Sequence, residues 1–292
     1  VNIYVNGSII TEEKAVVSVY DHGFLYGIGL FETFRTYGGQ PFLLREHQER
    51  LIAGCEQLGI DYRPEAGEWE GLVKALLEAN GLTDAYFRFT VTAGEDLLGL
   101  PVGDYGKPQM IVYVKGLPSR DEELYRKGKP LQLLATPRNT PEGNVRFKSL
   151  HYMNNILAKR ELRQYAWATG AEGLQTDRNG FLAEGIVSNL FFIKNDRLHT
   201  PSLDTGILPG ITRAFVMELA KKCGMELEEG HYRWDDLRMA DEVFITNSIQ
   251  EMVPITTLYD LSGNSYRVNE GMAGQLTSKL ILLYGNHTIT RK

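Results

Sequence analysis

The sequence predicts an α+β fold in two domains, and three observations carry that reading. Apolar residues alternate over short runs bounded by turn residues, as in half-buried strands. Other runs space apolar residues three and four apart and close on glycine, as in amphipathic helices. Between these patterns lies Gly116-Leu117-Pro118-Ser119-Arg120-Asp121, a loop-rich stretch after which the pattern restarts. The expected organisation is an N-terminal α/β domain over 1–115, a linker over 116–121 and a second domain over 122–292.

Val1–Val5 and Ile9–Ile10 flank an Asn6-Gly7 turn and read as a hairpin, followed by extended chain to Val19. Between Asp21 and Arg35 three glycines, Gly23, Gly27 and Gly29, interrupt aromatic and aliphatic residues. Glycine lets backbone approach closely, so this stretch is either a tight packing seam or a pocket wall, with Tyr26, Phe31 and Arg35 facing a ligand. Leu44, His47, Leu51, Cys55 and Leu58 fall at helical spacing before Gly59, with Arg50 beside that stripe. Trp69–Asn80 reads as a second helix. Ala85–Ala93 and Gln109–Val114 read as strands.

In the second half Leu131–Thr136 is a strand. Leu150–Tyr165 reads as an amphipathic helix with Met153, Ile156, Leu157, Leu162 and Tyr165 on its apolar side. Short strands follow at 173–176, 182–184, 190–193 and 198–200, the first two joined by an Asp177–Gly180 turn. Gly206–Arg213 leads into a helix over Ala214–Cys223. A strand at 225–228, a short helix at 234–237, strands at 242–246 and 253–259, and a closing helix over Asn269–Tyr284 complete the expectation.

Bulk properties narrow the class. The 292 residues are 43% hydrophobic and 23% charged, which suits a globular chain with a sizeable core. A net charge of -6 argues against a general nucleic-acid binder. Cys55 and Cys223 stand far apart, so neither a disulfide framework nor a zinc ribbon is indicated. The N-terminus reads as strand and turn, and no apolar run reaches transmembrane length, so a cytoplasmic protein is expected. The six histidines are scattered, with no His-Glu-x-x-His, no Gly-x-Ser-x-Gly and no phosphate-cradling glycine motif. No metal is expected.

Lys148 lies among aromatic, apolar and amide residues in Asn144–Asn155. On its own it reads first as a surface lysine ahead of a helix. Desolvation disfavours the ammonium, and a neutral lysine amine is a nucleophile that forms Schiff bases with carbonyls. Further along come Glu184 in a strand, the Gly210-Ile211-Thr212-Arg213 helix start and Thr246-Asn247-Ser248 at a strand end. A helix N-terminus offers unpaired amides and a positive dipole end to anions. Pyridoxal 5'-phosphate requires this combination: a lysine for its aldehyde, a carboxylate for its ring nitrogen, and amides, hydroxyls and an arginine for its phosphate.

The stretches Ala183–Phe191, Thr200-Pro201 and Ile207–Arg213, in that order, resemble the signature of the class IV aminotransferase family, the fold-type IV pyridoxal-phosphate enzymes. The resemblance runs from Ile3 to about Pro254. It implies a small α/β first domain, a larger second domain with a β-barrel-like core, and a homodimer. It implies Lys148 as Schiff-base lysine and acid/base, and Glu184 at the ring nitrogen. Ile211, Thr212, Asn247, Ser248 and Arg50 would bind the phosphate. Tyr152 falls near a family tyrosine that touches the cofactor's phenolate oxygen, one residue closer to the lysine than in branched-chain enzymes. Within the family, Asp21–Gly27, Arg138–Gly143, Lys148–Asn155 and Thr200–Leu208 are most similar to the 4-amino-4-deoxychorismate lyases. The alternative is an aminotransferase for branched-chain or D-amino acids. The lyase substrate carries two carboxylates, for which Arg35, Arg88, Arg138 and Arg146 are the candidate partners, with Thr33 and Tyr26 as pocket walls or proton donors.

Overall fold

A computed structural model describes residues 1–289. The chain divides into two compact units: Val1–Ser119 with Phe147–His151, and Arg120–Arg146 with residues 152–289. A single cut within 116–121 does not account for this, because the Lys148 segment returns to the first unit. The cause is backbone pairing. The Phe31 N–H donates to the Lys148 carbonyl at 2.9 Å, and the Leu150 N–H donates to the Gly29 carbonyl at 3.0 Å.

The first unit contains β1 (Asn2–Val5), β2 (Ser8–Thr11), α1 (His22–Tyr26), β3 (Gly29–Tyr37), β4 (Gln40–Pro41), α2 (Leu44–Gln57), α3 (Glu68–Asn80), β5 (Ala85–Thr92) and β6 (Gln109–Gly116). Its strands form one sheet in the order β2-β1-β6-β5-β3-β4. The register decides which side chains meet. Phe34 faces Phe87, and Phe87 faces Val114, so these rows point into the core with Trp69 and Val73 of α3. Trp69 is fully buried, stacks on Phe89 at 4.2 Å and donates to the Tyr62 hydroxyl at 2.8 Å. The period of two sends the alternate residues to the opposite face. There Thr33 faces Arg88 and Arg88 faces Tyr113, while Arg35 faces Tyr86 and Tyr86 faces Lys115.

The second unit contains α4 (Glu122–Lys127), β7 (Lys129–Leu133), α5 (Met153–Leu162), β8 (Glu172–Thr176), β9 (Leu182–Gly185), β10 (Asn189–Lys194) and β11 (Arg197–Pro201). It continues with α6 (Ile211–Lys222), β12 (Leu227–Gly230), α7 (Trp234–Arg238), β13 (Glu242–Asn247), β14 (Glu251–Tyr259), β15 (Ser265–Arg267) and α8 (Gln275–Ile289). The strand path β10-β13-β14-β7-β8-β9 closes on itself, because β9 also pairs with β10. The result is a six-strand barrel with Leu131, Leu174, Leu190, Ile245, Val253 and Ile255 in its core. The closing pair is Glu184 opposite Asn189.

Two expectations require correction. The stripe Met153, Ile156 and Leu157 is exposed, at 76%, 55% and 48%, whereas Asn155, Ala158 and Leu162 are buried. The helix turns that way because Asn155 serves buried polar partners described below. The closing helix begins at Gln275 rather than Asn269, where the chain makes only a short 3-10 turn with Asn269 and Glu270 at positive φ. The backbone amides of Leu276 and Thr277 donate to the Glu242 carboxylate at 3.1 and 2.7 Å, so the helix start is fixed by a remote acid. No helix among the described residues is long and apolar enough to cross a membrane.

The aromatic stack predicts a stability effect. Trp69→Ala should remove about 3–5 kcal/mol of unfolding free energy, read as a lower denaturant midpoint with an unchanged slope. A loss below about 1 kcal/mol would contradict the packing described.

Candidate active site

On the first unit Lys148 is half-buried and its Nζ lies 4.7 Å from the centre of the Phe31 ring. The Arg88 guanidinium lies 3.5 Å from the same ring centre, and its Nε donates to Thr90 Oγ1 at 3.3 Å. A cation over an aromatic face is held by the ring quadrupole, so Phe31 seats both groups. Arg35 stacks over Tyr37 at 4.5 Å. Phe31, Thr33 and Arg35 alternate along β3 and therefore share one face with Arg88. A cleft of about 740 Å³ opens on that face, lined by Tyr86, Arg88, Thr90, Tyr113, Lys115 and Leu150 among others. Tyr26 ends α1, is 38% exposed and accepts a hydrogen bond from the Gly99 amide at 2.9 Å.

Arg50 belongs to a buried cluster on the other face of β3. Its Nε donates to Glu32 Oε1 and its Nη2 to Oε2, both at 2.7 Å, a bidentate pair. His47 Nδ1 shares Glu32 Oε2 at 2.6 Å. Burial pushes the Glu32 carboxyl upward, but the Arg50 and His47 charges and their hydrogen bonds overcome it and hold the group at about 2. Burial also drives the His47 value down, with the Arg50 and Lys148 charges adding to it against Glu32.

On the second unit Glu184 is 5% exposed and accepts three hydrogen bonds. Arg138 Nε donates to Oε1 at 2.8 Å, while Asn189 Nδ2 and the Leu208 amide donate to Oε2 at 3.2 and 2.9 Å. A carboxylate has about four acceptor sites, so one remains for a ligand N–H. Arg138 Nη1 also donates to Asn154 Oδ1 at 2.8 Å and approaches Asn155 Oδ1 at 3.5 Å, and Asn155 Nδ2 donates to the Ile186 carbonyl at 2.6 Å. Arg146 is buried as well and donates to the carbonyls of Gly206 and Asn139. Burial, with the Arg138 charge, pulls its guanidinium down to about 10. Arg138 and Arg146 are thus committed within this unit. Tyr152 is half-buried at the N-cap of α5.

The α6 N-terminus completes this half. Its N-cap, Gly210, supplies no capping side chain, so the first-turn amides of Ile211 and Thr212 receive no acceptor from it. A Cβ at Gly210 would sit 2.0 Å from Asn189 Oδ1, so only glycine lets the helix start this close to the Glu184 cluster. Thr212 Oγ1 and Ser248 Oγ lie 3.3 Å apart. Asn247 behaves differently: its Oδ1 accepts from the amides of Ile249 and Gln250 at 3.0 and 2.8 Å, which shapes the turn. The Thr246 and Ser188 hydroxyl oxygens are buried with no partner. Native proteins rarely leave such groups unsatisfied. Amides, hydroxyls and a buried carboxylate of this kind fit the phosphate and ring nitrogen of pyridoxal 5'-phosphate.

The amino-transferase class IV family pattern matches residues 29–258. The chain belongs to the class IV aminotransferase family. This class IV chain is 43% identical to the aminodeoxychorismate lyase of Bacillus subtilis, over 97% of its own length and 93% of the relative's. A Methanocaldococcus jannaschii protein, provisionally named a branched-chain-amino-acid aminotransferase, is 38% identical over 95% of this chain and 93% of that protein. Among solved structures, 4-amino-4-deoxychorismate lyase from Pseudomonas aeruginosa superposes with a TM-score of 0.83 at 30% identity, covering 97% of this chain and 98% of that one. The fold is therefore fold-type IV, and the class IV chain is an enzyme whose cofactor is pyridoxal 5'-phosphate.

Sequence reasoning missed Glu32, Asn189 and the two asparagines behind Arg138. A signal existed for Glu32. An arginine and a histidine three residues apart beside an apolar helix stripe need a buried acid, and β3 offers only Glu32.

The Glu32 cluster sets an acid limit. A carboxyl held near 2 when folded, against 4.5 unfolded, contributes stability above its unfolded value, on the order of 3 kcal/mol, and loses it as pH falls toward 2. The depressed His47 value acts in the same direction, from its ordinary range downward. Glu32→Gln should lower stability at pH 7 and flatten the acid side of the stability profile between pH 6 and 3. An unchanged profile would show that the cluster contributes nothing.

Proposed function

We propose that this class IV enzyme is a 4-amino-4-deoxychorismate lyase, releasing 4-aminobenzoate and pyruvate for folate synthesis. The observation that carries the reading is the 43% identity to the Bacillus subtilis lyase along nearly the whole chain, against 38% to the archaeal aminotransferase relative. A homodimeric, cytoplasmic enzyme belongs to the same proposal and rests on the family resemblance.

When bound, pyridoxal 5'-phosphate supplies the carbonyl with which amines condense and the ring that takes up an electron pair. The chain's residues do the rest. Lys148 would supply the amine that holds the cofactor and would take the proton from the amine-bearing carbon of the substrate. Glu184, held by Arg138, Asn189 and the Leu208 amide, would face the ring nitrogen as its hydrogen-bond partner. Thr212, Ser248 and the first-turn amides of α6 would hold the phosphate, with Asn247 shaping the turn and Arg50, which also forks onto Glu32, as a further contact. Arg88 and Arg35, on the open sheet face, receive the two substrate carboxylates, with Thr33, Phe31 and Tyr26 as walls. Arg138 and Arg146 are left out of substrate binding because their guanidinium groups serve Glu184, Gly206 and Asn139.

Atoms balance without a co-reactant. The proton lost from the amine-bearing carbon is matched by one delivered to the departing enol side chain, the ring C–O bond breaks, and the six-membered ring becomes aromatic. An aminotransferase for branched-chain or D-amino acids would use the same lysine and carboxylate, but return the proton to the cofactor and await a keto acid. The archaeal relative makes that the second reading.

The deciding assay supplies 4-amino-4-deoxychorismate and follows 4-aminobenzoate and pyruvate, with amino acids plus keto acids in parallel. Equimolar 4-aminobenzoate and pyruvate are expected. Amino transfer with no 4-aminobenzoate would replace the lyase reading by the aminotransferase one. Lys148→Ala should lower turnover by at least 10³-fold, and folded Glu184→Gln should lower it by at least tenfold. Near wild-type rates would remove the residue concerned from the mechanism.

A further inference from the structure

The turn that presents Ser248 is held in an unusual way. β13 runs through Asn247 and β14 starts at Glu251, opposite Asn247 in register. Glu251 has φ +62°, a conformation that side-chain-bearing residues rarely adopt and that glycine would take without strain. Glu251 is nevertheless only 4% exposed. A buried, ionisable side chain at a position suited to glycine indicates that its carboxylate is needed.

That carboxylate accepts a hydrogen bond from Arg120 Nη1 at 2.8 Å. The Arg120 guanidinium lies 3.9 Å from the centre of the Tyr125 ring. The Tyr125 hydroxyl in turn donates to the Gln250 carbonyl at 3.2 Å. Two adjacent residues of the turn, Gln250 and Glu251, are thereby tied to the segment 120–125. From inside the turn Asn247 Oδ1 holds the amides of Ile249 and Gln250. What the turn presents is Ser248 Oγ, beside Thr212 Oγ1 on the first turn of α6.

We infer that Arg120, Tyr125 and Glu251 form a clamp whose role is to fix Ser248 against Thr212, and that they are positioning residues for the phosphate of pyridoxal 5'-phosphate. The inference rests on the phosphate role given above to Thr212 and Ser248. None of the three clamp residues touches the cofactor in this scheme. Arg120 also bonds Glu122 at 3.0 Å, so its charge is balanced on both sides and adds no field of its own to an anion. The clamp acts through geometry: a turn free to swing loses one hydroxyl from the cradle, and a ligand lacking phosphate does not notice.

The test compares two ligands on the full-length chain freed of cofactor: pyridoxal 5'-phosphate and pyridoxal. Arg120→Ala and Glu251→Gln should each raise the dissociation constant for pyridoxal 5'-phosphate about tenfold and leave that for pyridoxal within twofold. The double variant should be no weaker than either single one, since both break the same contact. Arg120→Lys should recover part of the loss. Tyr125→Phe, which keeps the ring and loses one hydrogen bond, should raise only the phosphate-ligand constant, by about threefold. That milder variant keeps the inference exposed if Arg120→Ala fails to fold. Equal weakening of both ligands in the folded variants, or no change in either, would overturn the clamp. Were the wild-type chain to bind pyridoxal 5'-phosphate no better than pyridoxal, the phosphate role of Thr212 and Ser248 would fall first and the clamp with it.

Discussion

Two main-chain hydrogen bonds place Lys148: Phe31 N–H to its own carbonyl, and Leu150 N–H to Gly29. They add residues 147–151 to β3 as if a further strand were present, although these residues lie more than a hundred positions later in the chain. Everything about the lysine follows from that pairing. Its side chain meets Phe31, and Phe31 already carries Arg88 on its ring. Because β3 alternates, Thr33 and Arg35 follow Phe31 onto the same face. A nucleophile on a strand-like backbone is held more closely than one on an open loop, and proton transfer from a carbon depends on such placement.

Charge is managed by a common device in both units. Glu32 and Glu184 are almost fully buried, and each receives an arginine fork or arm together with a second side-chain donor: Arg50 with His47, and Arg138 with Asn189. A buried carboxylate without partners would take up a proton. With them each carboxylate is fixed in position. Glu184 lies where β9 meets β10 and closes the barrel, so its backbone cannot drift without opening the sheet. The Glu184 carboxylate is thus anchored at the closing pair of the barrel.

The sequence was legible where local patterning decides structure. The Asn6-Gly7 hairpin, α2, α3, the α6 start and most barrel strands follow from periodicity and glycine stops. Lys148, Glu184 and Thr212 stood out because each needs a chemical reason to be where it is. What could not be read were the choices made by distant partners. α5 turns Asn155 inward and leaves Met153, Ile156 and Leu157 outside, because Asn155 bridges Arg138 and the Ile186 carbonyl. An apolar stripe gives the direction of a helix only when no buried polar network competes for it. For Arg138 and Arg146 the same holds: a sequence shows a cation but not the carboxylate or carbonyl that it meets. The helix expected from Asn269 failed at Gln275, where Glu242, a residue more than thirty positions away, supplies the cap.

The residues that define the family bear on the cofactor and say little about reaction outcome. In the roles proposed above, Lys148, Glu184, Thr212 and Ser248 would serve a lyase and an aminotransferase alike, since both begin by removing a proton from an amine-bearing carbon. The outcomes part at the next proton: a lyase delivers one to a leaving group, an aminotransferase to the cofactor. Discrimination must therefore come from groups that orient the leaving side chain. In the first unit such groups can only stand on the open sheet face, because the opposite face is filled by α2, α3 and the aromatic stack. Arg35, Arg88, Tyr113 and Lys115 form cationic and phenolic rows there, at the spacing of neighbouring strands. A planar dicarboxylate can bridge two such rows, whereas a branched aliphatic side chain would gain nothing from burying against guanidinium groups. The chemistry of that face, more than the cofactor site, is the physical argument for a dianionic substrate.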